Sequence, residues 1–249
     1  MAVGAGVRRV KGMVAYDGTD FAGWQVQDDR PSVQGELERA LGTVLNHSVR
    51  IVASGRTDKG VHALGQVFHF DTENPISLAD LTRGGNALLP KSIRIRRLEE
   101  TEVSFHARFS ASHRQYRYFA TWKDLPFLNR YSYVLKRGLN LDAMKRAAEH
   151  LLGEHDFASF GSPMRPGGST IRYLKRCEIR QRGSFLIFTI EANAFLRLMV
   201  RNTVGALLKV GFGRWDEDRL KELVEKPSPG ILTPVPPQGL FLWRVFYKT

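Results

Sequence analysis

Cysteine is almost missing from this chain. Cys177 stands alone among 249 residues, so no disulfide can form within it and a cysteine-based zinc site is excluded. Acidic residues are in short supply, 25 against 37 Lys and Arg, for a net charge of +12. No apolar run reaches the roughly 18 residues of a membrane span. The start, Met1 to Lys11, puts its charges after a short small-residue run, the reverse of a secretory signal. These absences lead us to expect a soluble, cytoplasmic protein. Several cofactor motifs are absent too. Gly55 to Gly60 has the glycine spacing of a P-loop, but Val61 stands where the lysine belongs. Gly211-Phe212-Gly213 lacks the third glycine of a dinucleotide fingerprint, and His150 and His155 do not form a His-Glu-x-x-His pair. Neither a metal nor an organic cofactor is expected.

What is present is an ordinary globular composition, 43% hydrophobic and 25% charged, able to bury a core. The positive excess suggests a polyanionic partner, nucleic acid or an acidic membrane surface. The basic residues are spread along the chain, which favours a folded basic surface and a shaped nucleic acid over a nonspecific arm. The stretch Ala53-Ser54-Gly55-Arg56-Thr57-Asp58-Lys59-Gly60-Val61-His62-Ala63 crowds an acid, two cations, a histidine and glycines between two strand-like runs. A loop of this kind on a sheet can carry chemistry. It can equally be an Asp-Lys-Gly turn whose carboxylate caps its own backbone.

Hydrophobic periodicity predicts a strand over Val10 to Tyr16, a helix after the N-cap Ser32, strands over Val49 to Val52 and Gln66 to Phe70, a helix over Leu78 to Leu89, and a strand over Ile93 to Leu98. From about Phe109 the pattern recurs. It comprises a strand over Arg114 to Thr121, a helix capped by Asn140 and ended by Gly153, strands over Ile171 to Arg180 and Ser184 to Ala192, a helix over Phe195 to Val210, and a closing strand over Leu240 to Tyr247. A surface helix over Glu217 to Glu225 is inserted before that last strand. Each half reads β-α-β-β-α-β, the split-βαβ, ferredoxin-like order. The expected fold is α+β: two ferredoxin-like subdomains, 1–108 and 109–249, whose antiparallel sheets join into one with a cleft between them.

Chemistry-bearing candidates follow. In the predicted helix Phe195 to Val210, Arg197 and Arg201 would share a face. A buried guanidinium there needs a carboxylate or phosphate partner, Asp58 being suitable, unless the arginine snorkels to the surface. Tyr116 and Tyr118 interleave with Arg114 and Arg117, an arrangement on which unpaired nucleotides stack; core packing is as good a reading for one of the two. Arg172, Lys175, Arg176, Arg180 and Arg182 form the densest basic run, and Lys91, Arg94, Arg96 and Arg97 another. Such runs are solvated faces or phosphate contacts.

Gly55 to Ala63 also resembles the signature of the tRNA pseudouridine synthase A (TruA) family. Further matches run through nearly the whole chain: Tyr16-Asp17-Gly18-Thr19, Gly23-Trp24-Gln25, Ser32-Val33-Gln34, Asn86 with Leu89-Pro90, Phe105-His106-Ala107-Arg108-Phe109-Ser110-Ala111, Tyr116-Arg117-Tyr118, His155-Asp156-Phe157, Asn193-Ala194-Phe195-Leu196 and Met199-Val200-Arg201-Asn202.

The resemblance implies an isomerase that converts uridine to pseudouridine at positions 38, 39 and 40 of the anticodon stem-loop, as a cytoplasmic homodimer, with no cofactor. It implies Asp58 as the catalytic carboxylate, Arg56 and Arg201 as cations that keep it ionised, and Tyr116 as the ring that stacks on the uracil of a flipped nucleotide. Two positions depart from the family pattern: Leu198 where histidine is frequent, and Ser169 where arginine is frequent before Thr170-Ile171. A noncatalytic RNA-binding protein or RNA chaperone on paired ferredoxin-like units would explain the charge and aromatics equally well, but not the acid in its glycine-rich motif. A metal nuclease would need clustered acids, whereas Asp17, Asp20, Asp28 and Asp29 read as turn residues.

Overall fold

The computed structural model describes residues 6–27 and 29–248. The small-residue start and Asp28 therefore lie outside the described residues. The chain divides into two compact units, one running to Ser112 and resumed from Leu242, the other His113–Phe241.

The first unit is built from β1 (Arg8–Tyr16), α1 (Val33–Leu45), β2 (Val52–Ala53), β3 (His62–Thr72), α2 (Leu78–Leu88) and β4 (Ile93–Thr101). The strands lie in the order β4-β1-β3, with β2 on β3, and all pairs are antiparallel. That is the ferredoxin-like arrangement expected. β1 alternates cleanly, with Val10, Val14 and Tyr16 buried; Leu37 and Leu41 of α1 and Leu81 of α2 are also fully buried in the core. Ser32 caps α1 by accepting from the Gly35 N–H at 3.2 Å, and Ser77 caps α2 by accepting from Asp80 at 3.1 Å. Helix α2 runs straight through Gly84 and Gly85. A Cβ on Gly85 would already stand 3.0 Å from Ile95 Cδ1, so close packing places glycine there.

Two boundaries differ from expectation. The second strand is not Val49 to Val52 but the two residues of β2. The reason lies in α1: Ile51 gives its N–H to Glu38 Oε1 at 2.8 Å, and its carbonyl accepts from Gln34 Nε2 at 3.3 Å. Side chains of the helix have taken the backbone groups that a strand would pair. The third strand starts earlier, at His62, because Ala63 pairs with Tyr16 beyond a bulge that holds one extra residue of β3. The motif loop is therefore shorter than its letters suggest.

The second unit holds β5 (Ala111–Thr121) from His113 on, α3 (Pro126–Asn129), β6 (Tyr133–Val134), α4 (Leu141–Glu149), β7 (Gly153–Asp156), β8 (Ile171–Arg182), β9 (Phe185–Ala192), α5 (Met199–Gly211) and α6 (Arg219–Glu225). Its strands run β5-β9-β8-β7, with β6 parallel to the end of β5. The closing strand, β10 (Leu240–Tyr247), spans the predicted residues, and from Leu242 it belongs to the first unit. Asn140 caps α4 as expected, accepting from Ala143 at 3.1 Å. The helix ends at Glu149, however, and Gly153 instead opens β7 with φ +99°. That four-residue strand, Gly-Glu-His-Asp, has no apolar alternation, and its register with β8 is set by backbone pairing alone. Among the described residues no helix is long and apolar enough to cross a membrane.

One core histidine gives the fold a pH dependence. His69 of β3 is buried, and its Nδ1 accepts from the Ala107 N–H at 3.1 Å. Burial, reinforced by the nearby Arg9 and His106, lowers its pKa from the ordinary value to about 4. The unfolded chain binds this proton more readily, so the contribution is complete above pH 6.5 and is lost as pH falls from there towards 4. We predict that thermal unfolding of the protein shifts downward over that window. A His69→Gln variant, which keeps an acceptor without the titration, should show a flatter profile; an identical profile would refute the assignment.

Candidate active site

The loop 54–61 is fastened at three places. At its entry, the Ser54 N–H donates to the Val67 carbonyl at 2.8 Å, the Ser54 hydroxyl to Gln66 Oε1 at 2.7 Å, and Gln66 Nε2 to the Gly55 carbonyl at 2.8 Å. In the middle, the Tyr16 hydroxyl at the end of β1 lies 2.8 Å from Thr57 Oγ1, and the Trp24 N–H donates to the Thr57 carbonyl at 3.0 Å. Gly23 and Asp58 pair as an isolated antiparallel bridge. At the exit, the Val61 N–H donates to the Asp58 carbonyl at 3.1 Å, closing a turn with Gly60 at φ +75°. The buried His62 accepts the Gly18 N–H at Nδ1, 3.1 Å away.

Two glycines make this fastening possible. A Cβ on Gly18 would stand 2.0 Å from the Val61 carbonyl oxygen, and one on Gly23 would stand 2.7 Å from that of Thr57. Gly23 also has φ +116°, a conformation L side chains resist. The backbone of residues 18–24 thus lies directly against that of 57–61. The Asp17 carboxylate organises the turn before it, accepting from the Thr19 N–H at 3.0 Å and hydroxyl at 2.6 Å. Reading the sequence treated Asp17 as a turn residue, which it is, but assigned Tyr16, Gly18, Gly23 and His62 no role in holding the loop. The glycines before Trp24 mark a turn; nothing in their spacing says what backbone they touch.

Along the loop Thr57 is buried, whereas Arg56 and Lys59 are exposed and Asp58 is half-buried. Two of the candidates, Arg56 and Asp58, thus sit on one loop, either side of its buried anchor.

The other two candidates belong to the second unit. Tyr116 of β5 pairs with Ile190 of β9, and its ring meets Phe195 edge-on, centroids 5.0 Å apart at 82°. It keeps 9% of its surface, whereas Tyr118 is wholly buried and donates its hydroxyl to the Pro236 carbonyl at 2.9 Å. Burial pushes the Tyr118 phenol far above its ordinary range, with the Arg201 cation working against the rise. Core packing is thus the role of Tyr118. Arg201, half-buried in the first turn of α5, donates Nε to the Val235 carbonyl at 2.6 Å and accepts the Val235 N–H at its own carbonyl at 3.3 Å.

The expected helical pairing of Arg197 with Arg201 does not occur. Helix α5 begins at Met199, and Leu198 before it has φ +66°. Arg197 instead bridges Ser162, with N–H to carbonyl at 2.9 Å, and its side chain is exposed. The argument from a buried guanidinium therefore does not apply to Arg197. Residues 195–198 form a partly buried loop, whose apolar content imitates one more helical turn. Among the described residues no group of three or more His, Cys, Asp or Glu could hold a metal ion.

The family model described as tRNA pseudouridine synthase matches residues 13–110 and 147–248. The chain belongs to the tRNA pseudouridine synthase family. A tRNA pseudouridine synthase A from Oceanobacillus iheyensis is 42% identical over 97% of this chain and 98% of its own, and one from Exiguobacterium sp. is 38% identical over 97% and 99%. A solved Nop10-Cbf5 complex of an archaeal box H/ACA sRNP aligns over 80% of this chain and 43% of its own at 12% identity with a TM-score of 0.36, too distant to bear on the chemistry. Pseudouridine synthases are isomerases, so membership makes the chain an enzyme and disfavours the noncatalytic RNA-binding alternative.

The two departures from the family pattern now have structural settings. Leu198 occupies a left-handed conformation at the N-cap of α5 without a side-chain cap, a place where histidine or asparagine is better tolerated than leucine. Ser169 turns the chain into β8, its hydroxyl accepting the Ile171 N–H at 3.1 Å.

Gly18→Ala tests the fastening. A methyl 2.0 Å from a carbonyl oxygen must displace backbone. We expect a loss of about 1–3 kcal/mol in chemical unfolding and at least a tenfold fall in turnover. Wild-type values for both would show that the contact positions nothing.

Proposed function

We propose that this synthase isomerises uridine at positions 38, 39 and 40 in the anticodon stem-loop of tRNA, as a homodimer in the cytoplasm, with Asp58 as its catalytic carboxylate. The observation that carries the assignment is the fastening of Asp58: a carboxylate in the family motif, half-buried, on a loop whose backbone is tied to Gly23 and Trp24 and whose Thr57 hydroxyl meets that of Tyr16. A catalytic group held this way needs little reorganisation when substrate arrives.

Isomerisation breaks the N-glycosidic bond and joins C5 of the uracil to ribose C1′. Atoms and electrons are conserved between substrate and product, so the balance calls for no oxidant and no donor group. It calls for one ionised carboxylate near the glycosidic bond, acting as nucleophile or as base. Arg56 and Arg201 are the cations proposed to favour the ionised form and to bind substrate. Tyr116 is the ring proposed to stack on the extruded uracil, and its hydroxyl is the group proposed to assist removal of the C5 proton. The positive excess of the chain supports a polyanionic substrate whose affinity falls with salt.

Release of tritium from tRNA carrying C5-labelled uridine measures the reaction. Asp58→Asn should abolish release while tRNA affinity stays within a few-fold. Turnover by a folded Asp58→Asn protein would overturn the assignment. Tyr116→Phe separates the two roles of the ring: loss of product with binding retained assigns chemistry to the hydroxyl, and full activity leaves stacking alone.

A further inference from the structure

We propose that Phe109, with His106 beneath it and Arg108 beside it, is a second stacking platform that takes an unpaired nucleobase of the RNA substrate. The inference rests on the reading of the chain as a tRNA-modifying enzyme.

Phe109 is 77% exposed, the most exposed large apolar side chain among the described residues. Leaving a phenylalanine in water forfeits on the order of 2 kcal/mol that burial would supply, part of which a base stacked on it would recover. Its ring lies at 32° to that of His106, centroids 4.4 Å apart, and the Arg108 guanidinium sits 5.6 Å from its centroid. The ring is thus backed by a second aromatic, and a cation lies over it. Aromatic rings beside arginine are the elements with which proteins take up single-stranded bases.

The platform is held rigidly. The Arg108 and Phe109 N–H groups both point to His106 Nδ1, at 3.2 and 3.3 Å. The His106 N–H donates to the Ser110 hydroxyl at 3.0 Å, and the Ser110 N–H returns to the His106 carbonyl at 2.9 Å. Between them Ala107 is buried, its N–H on His69 and its carbonyl accepting from the Tyr247 hydroxyl at 2.8 Å. Arg9 ties down the segment before it through the Val103 and Phe105 carbonyls. A segment so tethered has fixed the backbone that carries the ring before any ligand arrives, which lowers the entropy lost on binding. A protein partner would also cover an apolar ring. The adjoining arginine and the chain-wide positive excess favour RNA.

The test uses the full chain with unmodified tRNA at fixed salt. Phe109→Ala should raise the tRNA Kd by roughly tenfold, within the range for loss of one base–aromatic stack. Phe109→Trp should restore affinity, and its added fluorescence should quench on tRNA binding relative to wild type; Phe109→Leu should not restore affinity. The salt slope of binding should be unchanged, since no phosphate contact is removed. The single-turnover rate at saturating enzyme should stay within about twofold. Wild-type affinity in Phe109→Ala, or a change in oligomeric state accompanying any loss, would overturn the proposal. If the wild-type protein binds tRNA but makes no pseudouridine, the functional reading fails while the Phe109 binding data still decide this one.

Discussion

The backbone of residues 18–24 lies against that of 57–61, and the site in the first unit depends on that contact. It needs no side chain at Gly18 or Gly23 and only one hydroxyl pair, Tyr16 with Thr57. Each bond in it is worth about 1 kcal/mol net. Several acting together tie the loop to the chain that follows β1, which an ordinary surface turn lacks. The consequence for chemistry is positional. Asp58 is half-buried, between Thr57 in the core and Lys59 in solvent.

The second unit shows the same economy by a different route. Two tyrosines two residues apart on β5 face the same side, yet their environments separate them. Tyr118 is enclosed, and its hydroxyl is committed to the Pro236 carbonyl. Tyr116 meets Phe195 on the loop before α5 and keeps a sliver of surface. The left-handed Leu198 that ends this loop delays the helix by four residues from the predicted start at Phe195. Arg201 thereby falls in the first turn of α5, and Arg197 is left outside it.

How much of this was legible in the letters depended on the kind of force involved. Elements set by periodicity and capping were read closely: β1, α2, β10 and the caps Ser32 and Asn140 stand where the pattern puts them. Those set by tertiary hydrogen bonds were not. The predicted strand from Val49 shrank because Glu38 and Gln34 took the Ile51 backbone. The helix predicted from Phe195 lost its first turn to a bridge with Ser162. Strand β7 was missed because backbone pairing alone defines it. At the site, the motif pointed to Asp58 and Arg56, while the residues that hold their loop lie some forty positions earlier in the chain and look, as letters, like a turn.

The most direct measurement of this account is amide hydrogen exchange in the free protein. The amides of Trp24 and Val61 are bonded across the loop and that of Ser54 at its base, so they should exchange only as slowly as the core amides of β1 and β3 open. Exchange at the rate of exposed loop amides would mean that the Asp58 loop is not locked to the sheet, and the positional argument for its carboxylate would be wrong.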